Sequence, residues 1–226
     1  MKAILSQKSL TQQVYESLVE AICDGTLPPD ARVTQDEVAE RLDVSRLPVG
    51  QALRQLRAEG FLVEAGRRGL KVAPLDVDTV RSVYELRGGL DQISARLAAR
   101  NAADQAWQAG EPILRRGRAA AAAGDLRAMI DADMAFHWLI YRLSGNRLIE
   151  DTMQTQWHHI RRIMLSFLAE SSHRARVWDV HERILYAIAE GDEETAEQLA
   201  REHCESASVL LQNLIARGDG ANAEAL

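Results

Sequence analysis

Asp133 and His137 stand four residues apart, and His181 and His203 follow on later stretches of the chain. Carboxylate oxygens and imidazole nitrogens are donor types that suit zinc, nickel, iron or manganese. At about 100° per residue, each of the four falls on an otherwise apolar helical face. Over 125–143 that face is Leu126, Met129, Ile130 and Ile140, with Asp133 and His137 at its centre. Over 174–190 it is Val177, Val180, Ile184 and Ile188, with His181 among them. Over 192–216 it is Ala196, Leu199, Leu210 and Leu214, with His203 among them. Any one of these polar residues, taken alone, reads as a satisfied buried side chain or half of an ion pair. Four converging from three helices read differently. Unpaired burial of a charge is expensive, and one divalent ion satisfies the whole set. The expectation is a metal centre of Asp133, His137, His181 and His203, with zinc first among the ions.

Arg87 is also out of place. Over 76–100 the apolar positions Val83, Leu86, Leu90, Ile93 and Leu97 define the expected core face, and Arg87 borders it. Its guanidinium either clamps a carboxylate bidentately or pairs with Asp91, four residues on. The remaining candidates are weaker. His158 falls away from the apolar face of its helix, His159 lies at that face's flank, reaching either a cavity or the surface, and His173 sits in a connection. Cys23 and Cys204 have no metal-type spacing and read as packing residues.

The elements that must position this centre are helices throughout. From about Asp76 the pattern gives 76–100, 103–123, 125–143, 146–169, 174–190 and 192–216, with breaks at "NAAD", "AAAGD", "LSGN", "ESSH" and "EGDEE". Short connections between helices of this length imply an antiparallel bundle.

The first part of the chain is built differently. A helix from about Leu10 ends near Gly25, and "TLPPDARV" connects it to a short helix with Thr34 and Glu37 as its capping box. "DVS" is a tight turn, after which Ser45 caps the next helix and Val44 with Val49 has the spacing of a hydrophobic staple. In that helix Val49, Ala52, Leu53 and Leu56 form the apolar stripe, while Arg46, Gly50, Arg54 and Arg57 line an outward face. "FLVEAGRRGLKVAP" then reads as a hairpin. Helix, helix–turn–helix, hairpin is the order of a winged helix-turn-helix, whose second helix of the pair enters a major groove.

Charge agrees once it is divided along the chain. Net charge is −6, yet residues 44–71 carry Arg46, Arg54, Arg57, Arg67, Arg68 and Lys71 against only Glu59 and Glu64. Local clustering is what a nucleic-acid partner requires. A hydrophobic share of 46% with 27% charged residues is ordinary for a globular protein. No run of about 18 apolar residues spans a membrane, and no long apolar secretory signal opens the chain. A cytoplasmic location is expected.

Residues 10–72 resemble the N-terminal domain of the GntR family of bacterial transcription regulators, and the helical remainder resembles the FCD effector domain of its FadR subfamily. The motifs are "G-x-L-P-P" after the first helix, "V-S-R-x-P-V" and "A-L-R-x-L-x-x-E-G" in the third, and "R-R-G" in the hairpin turn. In the second half they are "D-x-x-F-H" (133–137), "H-E-R-I-L-Y-A-I-A-E-G-D" (181–192) and His203. The resemblance implies a mainly α protein with a winged helix-turn-helix DNA-binding domain at 1–74 and an all-α effector-binding and dimerisation domain at 75–226. It implies a homodimer that usually represses, binding double-stranded operator DNA and answering to a small organic acid docked on the metal. The metal ligands it implies are the same Asp133, His137, His181 and His203; Arg87, from its place on its own helix, is the candidate second anchor for the acid. Thr34 and Ser45 would contact phosphates, Arg46 a base edge, Arg54 or Arg57 the backbone, and Arg68 with Gly69 in the wing would complete the footprint. Asp30 and Asp43 stand where such proteins usually have Gly, Leu47 where Thr is common, and Gly50 where an Arg usually contacts DNA. Two rivals follow. One is a metal-dependent hydrolase fused to a DNA-binding domain, weakened by the lack of an obvious general base. The other is a regulator whose operator recognition has degenerated at Gly50.

Overall fold

A computed structural model describes residues 8–66, 69–167 and 176–216. The chain divides into two compact units, Met1–Leu75 and Asp76–Leu226.

In the first unit, α1 (Leu10–Cys23), α2 (Gln35–Arg41) and α3 (Arg46–Ala58) pack with three short strands, β1 (Arg32–Val33), β2 (Leu62–Glu64) and β3 (Leu70–Val72). The sheet is antiparallel in the order β1-β3-β2. Its third strand, β1, lies in a stretch that sequence alone reads as a plain connection. Arg32 and Val33 pair with Lys71 and Leu70, and burial of Val33 explains why so short a segment holds its register. The stripe of α3 behaves as its spacing requires: Val49, Ala52, Leu53 and Leu56 enter a core with Val14, Leu18, Phe61 and Val72. Thr34 caps α2, accepting from the Glu37 amide at 3.3 Å, while its hydroxyl donates to the Glu37 carboxylate at 2.7 Å. Ser45 occupies the corresponding place before α3, but its side chain makes no capping hydrogen bond. Asp30 (φ 64°) and Asp43 (φ 50°) take the left-handed conformation usually given to Gly, which Asp tolerates better than most residues.

Among the described residues the second unit has five helices: α4 (Val77–Ala123), α5 (Leu126–Ser144), α6 (Arg147–Phe167), α7 (Arg176–Ala189) and α8 (Glu193–Ala216). The break expected at "NAAD" is a kink. α4 runs through it, and only Ala102 leaves helical geometry, at φ −148° and ψ 28°. This long helix packs against α5, α7 and α8, so it forms the spine of the unit. Small residues make that possible. A Cβ at Gly117 would fall within the Trp178 ring, and one at Gly110 would meet the Leu185 methyls.

The expected core face of α4 is corrected by the structure. Leu86 and Ile93 are 43% and 38% exposed, whereas Val80, Tyr84, Arg87, Asp91, Ser94, Ala95, Ala98 and Ala99 are buried. The small residues admit neighbouring helices closely and the buried charges satisfy one another, so side-chain hydrophobicity located only part of the face: Val83 and Leu90 are half-buried against the Ile130 and Trp157 cluster. On α8, similarly, Leu211 is buried and Leu210 and Leu214 only half so. No helix among the described residues is long and apolar enough to cross a membrane.

Candidate functional site

Asp133 and His137 project from α5, His181 from α7 and His203 from α8, and one ligand-capable atom from each lies within 4.8 Å of all the others. Their residues are 4%, 3%, 0% and 8% exposed. Successive turns of α5 put Asp133 and His137 on one side, stacked by the i, i+4 spacing. The four meet as the helical faces require.

Several features fit a cation there. His181 Nε2 and His203 Nε2 face each other at 3.2 Å, and His181 Nε2 lies 3.5 Å from Asp133 Oδ1. Two nitrogens bound to one ion at about 2.0–2.1 Å would sit about 2.9–3.4 Å apart. Asp133 Oδ2 and His181 Nδ1 are buried without a hydrogen-bond partner among the described residues. Burial, with Arg87 adding to it, holds all three imidazoles neutral, and neighbouring rings add further at His137 and His181: those two titrate well below the usual histidine range, and His203 is pushed down to about 3. Neutral imidazole is the ligating form. Burial pushes Asp133 up to about 6 against the pull of Arg87, with Asp91 reinforcing the rise. A buried carboxylate raised this far lacks a full counter-charge. The donors, their neutral rings and their unsatisfied atoms make this a cluster able to hold a metal.

Around it lies a layer that the sequence indicates only in part. Arg87 is 2% exposed, deep in the core rather than at its border. Its Nε donates to Asp91 Oδ2 at 3.2 Å, its Nη2 lies 2.7 Å from His137 Nε2, and its guanidinium stacks over Trp157 at 4.8 Å. Asp91 Oδ1 accepts from the Tyr141 hydroxyl at 2.5 Å, and its Oδ2 lies 3.4 Å from His137 Nδ1. A carboxylate behind a ligating histidine fixes its ring and tautomer. Tyr141, four residues beyond His137, was within reach of the same i, i+4 argument; Trp157, on another helix, carried no such signal. His159 proves buried, and Cys204 packs against Gly88 with its thiol on the Tyr84 carbonyl. His173 lies outside the described residues.

The cluster borders a cavity of about 700 Å³, which Arg87, Asp133 and His203 line together with the apolar Met129, Trp178 and Leu199. That volume is within the range of about 300–1,000 Å³ typical of small-molecule sites, and apolar walls with a few convergent polar groups are their usual character.

In the first unit, Ser45, Arg46, Arg54 and Arg57 are exposed on or beside α3. Arg46 Nε pairs with Asp36 of α2 at 2.8 Å, and Arg57 pairs with Glu64 of β2 at 3.0 Å. Gly50 has a structural reason. The Gln35 side chain crosses from α2 to donate to the Arg46 carbonyl, and a Cβ at position 50 would come within 2.9 Å of its amide nitrogen. The glycine leaves room for that bridge. Gly69, at φ 123°, lies in the hairpin turn beside the Arg32 guanidinium. Arg68 lies outside the described residues.

Residues 10–72 match the family "Bacterial regulatory proteins, gntR family", and residues 82–206 match the FCD domain. The Nta operon transcriptional regulator of Aminobacter aminovorans is 33% identical over 135 residues, 59% of this chain and 63% of that protein. A probable D-xylose utilization operon transcriptional repressor of Paenarthrobacter nicotinovorans is 28% identical over 202 residues, 88% of this chain and 87% of that protein. E. coli McbR/YncC superposes with a TM-score of 0.78 at 21% identity, covering 92% of this chain and all of that one, which shows the shared fold. These relatives and both domain matches are those of transcription regulators, which decides against the fused hydrolase. A winged helix-turn-helix unit joined to a helical ligand-sensing unit is thus the common plan, and this chain belongs to the GntR family of bacterial regulators that carry an FCD domain.

Proposed function

We propose that the chain is a homodimeric repressor of the FadR type whose DNA binding is set by an organic acid docked on a metal. The observation that carries this is the buried Asp133, His137, His181 and His203 cluster bordering a largely apolar cavity beside Arg87. Zinc is the first candidate ion, with nickel, iron or manganese as the others that such donors suit. Bound there, the ion supplies a Lewis-acidic partner for carboxylate oxygens. Arg87 is the second anchor, reaching the acid by giving up its contact with His137 Nε2. The apolar walls favour an acid with a hydrocarbon body over a fully polar one.

Residues Met1–Leu75 are the DNA-binding domain and Asp76–Leu226 the effector domain in this reading. Arg46 reads a base edge, exchanging Asp36 for guanine, since Arg on guanine is the commonest specific contact. Ser45, free of a capping role, contacts phosphate, as do Arg54 and Arg57. Thr34 does so once its hydroxyl leaves Glu37, and Arg68 with Gly69 completes the wing contact. The exposed Leu86 and Ile93 of α4 supply a surface for a second copy, and a two-fold dimer matches an inverted-repeat operator.

The test is elemental analysis of natively purified protein, followed by binding of a randomised duplex library with and without organic acids. About one metal equivalent per chain, enrichment of an inverted repeat that weakens steeply with salt, and release by an acid are expected. A protein without metal, or one whose DNA binding ignores every acid, contradicts the proposal.

A further inference from the structure

We infer that Leu47 reads the 5-methyl group of a thymine, so that apolar contact supplies part of this protein's sequence preference. The inference rests on the DNA-binding reading above. Leu47 is the second residue of α3 and is 69% exposed, while Val49, Leu53 and Leu56 of that helix are at most 6% exposed. An isolated exposed leucine means little on most surfaces. This one has particular neighbours. Gly50, Gln51 and Arg54 follow at i+3, i+4 and i+7 on the same side of the helix, and Arg46 precedes it. The helix therefore offers a cation on either side of Leu47, and the leucine, 69% exposed, stands beside a glycine over which the Gln35 side chain reaches, on its way to the Arg46 carbonyl.

The surrounding charge favours one occupant. In sequence, residues 44–71 carry six basic residues against two acidic ones, a balance suited to a phosphate backbone rather than to an apolar protein partner. Residues at the N-terminal end of such a helix contact base edges in the major groove. The one apolar group that a major-groove edge presents is the thymine methyl. A side chain with no donor or acceptor cannot satisfy guanine or cytosine edges there, and their desolvated polar groups would be left unpaired.

The experiment uses the full-length protein and duplexes enriched from a randomised library. Each thymine of the enriched sequence is replaced singly by uracil, which removes only the methyl. Burying one such group is worth a factor of about four in affinity. The expected result is a thymine whose replacement weakens wild-type binding about fourfold and leaves Leu47→Ala binding unchanged. Other positions should respond alike in both proteins. Uracil penalties identical in wild type and Leu47→Ala overturn the inference while leaving DNA recognition intact. A wild type that enriches no sequence overturns both. Loss of self-association in Leu47→Ala, read by sedimentation, assigns the side chain to a protein interface and also overturns it. Leu47 lies outside the core, so unchanged circular dichroism is expected of the variant.

Discussion

The two units handle their charged residues in opposite ways. In the effector unit, Arg87, Asp91, Asp133, His137, His181 and His203 are all at most 8% exposed and hold one another in fixed contacts. In the DNA-binding unit, Arg46, Arg54 and Arg57 are exposed, and two of them rest on carboxylates that water could replace. Buried charge is costly unless it is matched, so each member of the first group must have a reason to be there. Exposed pairs are worth about 0–1 kcal/mol, so those of the second can be exchanged for a partner at little cost. In the proposed reading, function is built into the core of one unit and kept available on the surface of the other.

The contrast predicts very different mutational costs. The largest is expected at Arg87. Arg87→Met leaves Asp91 and Asp133 buried without a cation, and breaking a buried pair from one side costs about 3–5 kcal/mol. Adding Asp91→Asn should recover part of that loss in a denaturant titration. Full additivity of the two substitutions would show that they do not act as a pair.

Next is the metal. His181→Ala or His203→Ala should lower metal content and melting temperature together. An ion present at about 1,000 times its Kd stabilises by about 4 kcal/mol, which for a chain of this size is on the order of 10 °C. A chelator should reproduce the shift in the wild type. An unchanged melting temperature would reduce the histidines to buried polar residues.

Acid sharpens the same contrast without a mutation. In chelator-treated protein the three histidines have folded pKa values below their unfolded ones, so the unfolded state takes up protons first. Stability should fall as pH drops below about 6.5, with a slope of about 1.4 kcal/mol per pH unit for each histidine. Asp133, raised to about 6, works the other way by binding a proton in the folded state between pH 6 and its unfolded value. Burial raises Asp91 as well, which acts in the same direction as Asp133, but three histidines outweigh two aspartates, so a net loss between pH 6.5 and 5 is expected by chemical denaturation. A flat profile would mean that the rings are accessible to water.

How far the sequence could be read follows the same division. The meeting of Asp133, His137, His181 and His203 was legible because a polar residue inside an apolar helical face is an anomaly that the helical period locates. The buried face of α4 was legible only in part, because it is made largely of Ala, Ser and matched charges, while Leu86 and Ile93 are exposed. Nor could spacing reveal that Gly50 makes room for Gln35, a contact between two helices. The two-residue strand β1 had too little pattern to announce itself. On the surface unit, single residues acquired meaning chiefly through resemblance to a family.

Surface changes should be the smallest. Arg46→Ala should cost about 1–3 kcal/mol in specific DNA binding yet hardly move folding stability, as its Asp36 pair is exposed. Gly50→Arg gains about 1 kcal/mol of helix propensity but displaces Gln35 from the Arg46 carbonyl, a hydrogen bond of about 0.5–1.5 kcal/mol. Its folding stability should stay near that of the wild type while its DNA binding tightens. A large loss of stability would make the Gln35 bridge more important than its exposure suggests.

The most direct test of the account is calorimetric titration of organic acids into metal-loaded and chelator-stripped protein. Binding to the loaded protein, strongly weakened in the stripped one, is the result expected of an acid docked on the Asp133, His137, His181 and His203 centre. Linkage then requires enriched operator DNA to change acid affinity by the factor by which the acid changes operator affinity. Acid binding of equal strength in both forms would contradict the metal-docked mechanism.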